Sequence, residues 1–515
     1  MFTQTTIGST GSAGKISIET GQLSINDGAA IATTTFGQGN AGDIFVQAKD
    51  SISVDNGSIL SGVAGGAIGN SGDIELQTRS LWVTGGGTVQ TQTLGQGKAG
   101  DIRVTATDAV TLNGVNPTSN LPSGLRSGSG GSNTLLGTIG SNIGQGGDIS
   151  VTTGNLSIAD GGVLDAQTQT NSKGGDITVY ANTLSVNNSL ISASTQRGTA
   201  GSLTINASES VDLNERGGLS VEATQGGTAG TLSVETGQMS VSDGAAVTVS
   251  SPSGIAGNLN ITANSLFLNR GTLSAETGKS SPQGGANITL KGLQFLRLEN
   301  ESLISASAFN AASGGNIDID TTFLIALPPV GPNGSDIIAN AQQGSGGKID
   351  INAAGIFGIE ERRAIPGNRT NDIDASSEFG AAGQVTLSTL INPSQGLSQL
   401  PTQLVDPTRQ IDSSCAARGD NQSKFTVTGR GGLPSTPSDL LTPELVLDDF
   451  GTLATANPPA SEPVKPASSS PHKQLVEAQG WIIGADGTVI LTAQAPSVTP
   501  HTPALTPASC QHTQN

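Results

Sequence analysis

Residues 175–201 decide the fold: GDITVYAN (175–182), TLSVNNS (183–189) and LISASTQRGTAG (190–201). The three runs alternate aliphatic and polar residues and are separated by turn-forming Asn, Ser and Gly, the pattern of half-buried strands. Their opening signature, small-Gly-polar-aliphatic-x-aliphatic, returns at Gly14-Lys15-Ile16-Ser17-Ile18 and at Gly42-Asp43-Ile44-Phe45-Val46. Marker glycines then follow at Gly72, Gly100, Gly147, Gly175, Gly201, Gly230, Gly257, Gly285, Gly315, Gly347 and Gly383, with a period near 28 over most of the chain. Self-similarity at such a period is the signature of a solenoid.

One unit of three short strands has a single inward row per strand and cannot bury it alone, so the units must stack. Stacking aligns a first aliphatic column that includes Ile44, Ile74, Ile102, Ile149 and Ile177, and a second, two residues on, that includes Val46, Val104, Val151 and Val179. The third run supplies Leu190 or Ile191 with Ala193, and comparably Leu164 with Ala166, Val247 with Val249 and Leu273 with Ala275. These columns predict an all-β parallel β-helix of about thirteen coils, which at ~4.8 Å per coil is a rod of roughly 60 Å.

Composition agrees. Gly accounts for 72 of 515 residues, aromatics for 3% and charged residues for 12%, too few large apolar groups for a conventional globular core. A net charge of −18 works against nucleic-acid binding, which needs clustered positive charge. Residues 1–414 contain neither Cys nor His, which excludes zinc sites, Cys nucleophiles and His-based triads from that stretch. No run of about 18 apolar residues exists to span a membrane as a helix. The opening MFTQTTIGSTGSAG has neither a basic n-region nor an apolar h-region, so the chain as written carries no secretory signal.

Departures from the period mark other features. Gly100 and Gly147 stand 47 residues apart, and the excess at about 113–137, rich in Gly, Ser, Asn and Pro, is read as an excursion from one corner. Residues 1–390 form the repeat domain and 391–450 a transition segment. Residues 451–472 are a Pro-rich linker, and 473–515 hold a hairpin and tail. In the last, Ala485-Asp486-Gly487 separates Trp481-Ile482-Ile483 from Val489-Ile490-Leu491. Cys415 and Cys510 bracket both this hairpin and the KFTVTGRGGLP and PSDLLTPELVLDDF stretches before the linker, and are a candidate disulfide in an exported protein.

The tandem GGDIxVxA…LSVxxGxxISA coils, followed by FTVTGRGGLP, LTPELVLDD, QGWIIGADGTVILTAQ and a terminal PASC, resemble the cyanobacterial filamentous-haemagglutinin-like exoproteins. The resemblance covers nearly the whole chain. It implies a right-handed β-helix exported by two-partner secretion through an outer-membrane transporter and displayed or released as an adhesin, extracellular or at the cell surface. This chain departs from the family at its start, where Met1 enters in mid-coil with no secretion domain ahead of it, as expected of the distal part of a longer exoprotein.

Candidate chemistry is sparse. The column Asp43, Asp73, Asp101, Asp148 and Asp176 is a weak calcium candidate, because stacked carboxylates repel unless a cation intervenes. Its later members are Ser202, Thr231, Asn258, Asn316, Lys348 and Gln384, which suit a turn rather than a ligand set. Acid–base candidates are Asp212 with Glu215 and Arg216, and Glu360-Glu361-Arg362-Arg363, each more in keeping with a solvated loop. Arg418-Gly419-Asp420 spells an integrin-type tripeptide, weak evidence standing alone. The expectation is a non-enzymatic exoprotein without catalytic, cofactor or metal residues, mediating attachment to surfaces, cells or glycans. The alternatives are a polysaccharide-active β-helix enzyme and a purely structural layer component.

Overall fold

The computed structural model describes residues 1–130, 136, 144–279, 286–390, 480–483 and 489–492. The chain divides into two compact units, Met1–Ser398 and Gln399–Asn515. In the first, every extended ladder is parallel and pairs a strand with its counterpart one coil away. One sheet holds thirteen long strands, from Ile16–Asn26 to Gln384–Thr389, so twelve turns separate the first from the last. A second sheet of fourteen shorter strands runs alongside it. The described residues form a parallel β-solenoid, as the columns predict.

Register follows the predicted columns. Ile177 lies between Ile149 and Leu203, and Val179 between Val151 and Ile205. Ile44, Ile74, Ile102, Ile149 and Ile177 are at most 1% exposed, as are Val46, Val104, Val151 and Val179. Each side chain therefore buries against its copies above and below, at about 25 cal/mol per Å² of apolar surface. In the third run Ile191 points inward and Leu190 is exposed, which settles that alternative.

The three predicted strands become two. The first and second runs form a single element, such as Ile177–Asn187, which turns the corner inside the ladder where its register shifts between Ala181 and Thr183. A bulge turns the strand at little loss of backbone pairing, so the corner does not end the strand. The corner after it is tighter. Asp27, Asn56, Asp160, Asn188 and Asp243 occupy it with φ between 44° and 53°, the left-handed region that Asn and Asp tolerate.

Two further details differ from the sequence reading. The excess of the fourth coil is not one excursion: a short bridge between Val115 and Pro122 closes one bulge, and the strand Gly124–Ser129 then returns to the third face. The stack position assigned to Gly285 belongs to Ala286, since Gly285 lies outside the described residues and a Cβ on Gly315 would meet the Ala286 carbonyl oxygen at 2.1 Å. Ala286 is the one stack position with a side chain, at a φ of 59°.

The marker glycines are set by close approach. A Cβ on Gly147 would sit 2.0 Å from the carbonyl oxygen of Gly100, and one on Gly175 only 1.8 Å from that of Gly147. No flexible side chain can yield there, because the obstacle is backbone.

In the second unit, Gly480–Ile483 pairs antiparallel with Val489–Thr492, Trp481 opposite Leu491, so the predicted hairpin forms. Cys415, Cys510 and the 418–420 tripeptide lie outside the described residues.

Gly175→Ala is expected to destabilise the chain by about 3 kcal/mol, at the upper end of overpacking costs. Gly21→Ala, where a Cβ meets nothing within 4 Å, should stay within about 0.5 kcal/mol of wild type. Denaturant unfolding of the two variants tests this, and equal midpoints would refute the stacking constraint.

Candidate functional site

The aspartate column forms a hydrogen-bond ladder. Asp43 Oδ1 accepts from the backbone N–H of Asp73 at 3.1 Å, Asp73 Oδ1 from Asp101 at 2.8 Å, Asp101 Oδ1 from Asp148 at 3.0 Å and Asp148 Oδ1 from Asp176 at 2.9 Å. Asp176 Oδ1 accepts from Ser202, and Asn287 Oδ1 from Asn316, so an amide oxygen serves equally well. Cations relieve the remaining charge: Lys98 reaches Asp101 and Asp148, Arg103 reaches Asp73 and Asp101, and Lys173 reaches Asp176. These carboxylates close the turn before each coil. Among the described residues, no group of three or more His, Cys, Asp or Glu is placed to hold a metal ion.

The acid–base candidates separate. Asp212 lies on the outer side of its strand and accepts from Ser210 Oγ at 2.9 Å, while Glu215 and Arg216 form the left-handed corner beyond. Arg362 reaches inward. Its Nε donates at 2.8 Å to Asp372, a fully buried carboxylate that also accepts from Thr370 Oγ1 and Asn368 Nδ2. Asp372 is spent on holding the irregular twelfth coil.

Convergent polar groups do occur on the outer side of the third face, at coils three to five. Outward side chains alternate along each strand there, so Gln90, Arg126 and Asp165 stack in one column. Gln90 pairs in register with Arg126, and Arg126 with Asp165. The next outward column holds Gln92, Gly128 and Gln167, with Gln92 paired to Gly128. Together with Ser129 and Gln169 these residues line a recess of about 270 Å³. A Cβ on Gly128 would lie 2.2 Å from the Gln167 carbonyl oxygen, so close approach of the coils keeps this position free of a side chain.

The polar groups of this recess are incompletely used. Gln92 is 6% exposed; its Nε2 donates to the Gly130 carbonyl at 2.8 Å, which fixes the amide, and its Oε1 has no partner. Arg126 Nε is likewise buried and unpartnered. Burial pushes the Asp165 carboxyl up to about 6, with Arg126 pulling the other way, and the same burial lowers Arg126. Ser129 Oγ is a third buried atom without a partner on the same lining, and since buried polar atoms are nearly always satisfied, three orphans in one recess are informative.

Sequence reasoning missed this site for a definable reason. Arg126 falls inside the stretch read as an excursion, and Asp165 lies between Leu164 and Ala166, which were read for the core alone. Aligning Leu125 with Leu164 as inward neighbours would have placed Arg126 and Asp165 on adjacent rungs. A further unread signal is the inward column Thr33, Ser61, Thr91 and Ser127, where later coils carry Ala or Val. Thr91 Oγ1 and Ser127 Oγ both donate to the Gly100 carbonyl, at 2.6 and 2.9 Å.

Asp148→Asn should leave stability unchanged, because its amide oxygen accepts the same bond, while Asp148→Leu should cost about 1 kcal/mol. A calcium chelator should not shift melting of the wild type; a downward shift would restore the metal reading. Separately, folded Asp165 holds its proton up to about pH 6 and an unfolded aspartate only to about 3.8. The folded state therefore binds more protons between these values, and the contribution of Asp165 to stability must fall as pH rises through that window and level off above it. Subtracting the profile of Asp165→Asn from that of wild type isolates this slope, and an opposite sign would refute the assignment. Compared with family models, curated proteins and solved structures, the chain matches none.

Proposed function

We propose that this chain is the shaft of an adhesin-like exoprotein of the filamentous-haemagglutinin-like kind, exported through an outer-membrane transporter and attaching to surfaces, cells or glycans. The observation that carries this reading is the recess on the third face of the solenoid, at coils three to five. There, hydrogen-bonding groups stand ready, whereas the carboxylates of the aspartate ladder are consumed by neighbouring coils. A rigid scaffold presenting such a recess is suited to holding a ligand without chemical change. Solenoid folds serve many functions, so the argument rests on the recess and not on the fold.

One observation favours the polysaccharide-active alternative: a carboxyl held up to about 6 beside an arginine is a serviceable general acid. The test separates the two. Purified chain is applied to a panel of neutral and acidic glycans and to glycan-coated surfaces, with binding and chain length of the glycan followed together. Retention on at least one glycan or surface without shortening supports the adhesin reading. Shortening that disappears in Asp165→Asn replaces it with the enzyme, and absence of both retention and shortening rejects the proposal.

A further inference from the structure

We infer that the recess bounded by Gln90, Gln92, Arg126, Asp165, Gln167 and Gln169 is a binding site for a single uncharged, hydroxyl-rich sugar ring of a glycan; this inference rests on the attachment reading above. Four features carry it. The first is that two of the three orphaned atoms on its lining are complementary, Gln92 Oε1 as an acceptor and Arg126 Nε as a donor, both buried and neither partnered. Leaving them so costs the folded chain the desolvation of each group, a cost that a ligand able to satisfy both would remove.

The second is chemical type. The recess combines an acceptor, a donor, a carboxyl and exposed amides, which offer both functions. A hydroxyl donates and accepts at once, so neighbouring hydroxyls on one ring can meet a mixed set that would leave a carboxylate or an ammonium half unsatisfied. The third is charge. Arg126 and Asp165 stand on adjacent rungs, so the recess is close to neutral once both are ionised, and the chain around it carries −18. An acidic sugar would face the Asp165 carboxylate without a surplus cation to offset it. The fourth is size: about 270 Å³ lies just below the range of roughly 300–1,000 Å³ typical of sites for drug-sized ligands, which suits one ring.

The side chains divide the task. Gln92 is pre-oriented by its bond to Gly130, and Arg126 is held between Gln90 and Asp165 in the ladder register. Gly128, held to glycine by the Gln167 carbonyl oxygen beside it, adds no side chain to the recess. Gln167 and Gln169 at the rim are exposed and close on the ring from the outer side.

The test measures equilibrium binding of the full chain to a neutral glucan, galactan and mannan and to a uronate-containing polymer. Gln92→Met, Arg126→Met and the exposed rim variant Gln167→Ala are compared with wild type, and melting is recorded for each. The expected result is binding to at least one neutral glycan, competed by its free monosaccharide. Loss of affinity should be tenfold or more in Gln92→Met and Arg126→Met, and smaller in Gln167→Ala, with melting read beside affinity because Gln92→Met also gives up the Nε2 bond to the Gly130 carbonyl. Should Gln92→Met or Arg126→Met fail to fold, Gln167→Ala and the monosaccharide competition decide.

Undiminished binding by the variants, or binding of the uronate polymer alone, overturns the inference and leaves the attachment reading standing. Failure of the wild type to hold any neutral glycan, with attachment to other surfaces intact, has the same meaning. Failure of the wild type on every glycan and every surface overturns both.

Discussion

The solenoid depends on backbone lying directly upon backbone at one position in every coil. At the marker glycines the carbonyl oxygen of one coil occupies the place where the next would put its Cβ, at about 2 Å. This is a steric requirement, distinct from the conformational freedom for which glycine is usually chosen: Gly147 and Gly175 have no left-handed φ, and their identity is fixed by the distance between coils. Once that approach is set, the aliphatic columns fall into register, and each Ile or Val packs on its own copies. A chain with few aromatics is then stable because apolar contact is repeated along the axis.

Around this contact side-chain oxygens serve the backbone N–H groups of the next coil. Each aspartate or asparagine of the ladder accepts from the residue one coil ahead, which explains why the column tolerates Asp and Asn alike, and why Lys98, Arg103 and Lys173 gather beside its most acidic part. In the early coils the inward hydroxyls of Thr91 and Ser127 serve the Gly100 carbonyl; from Ala166 onward the same position is apolar. The interior thus changes chemistry along the axis while its geometry stays constant. The recess lies at that change, beside the coil with the extra residues.

The fold was legible because periodicity in a solenoid is both local and global. Ile177 and Val179 alternate as any strand would, and they also repeat 28 residues earlier as Ile149 and Val151, so two independent patterns agree. What failed was register where the period broke. The choice of Gly285 over Ala286 came from matching a residue type, whereas the structure matches a distance. Arg126 was lost for the same reason: an insertion displaced it in sequence without moving it from its rung. The recess depends on which side chains lie at equal height on neighbouring coils, a relation that sequence shows only after register is known.

That relation also bears on why the recess should be regarded as functional and not as an imperfection. A solenoid can correct a poor side chain at little expense, because each outward position is repeated in every coil and the accepted replacements are visible in the neighbours. The outward column of Gln90, Arg126 and Asp165 continues as Ser192, Ser220, Thr248 and Ser274 in the next four coils, small groups that bury no charge. Substituting a half-buried arginine and an aspartate into such a column raises the cost of that part of the fold, and the displaced Asp165 ionisation and the orphaned Gln92 oxygen are the visible form of the cost. Local sacrifices of stability of this kind are characteristic of sites that bind. Beneath the recess the inward neighbours Val89, Leu125 and Leu164 stay fully buried, so it can be altered without disturbing the stack that supports it.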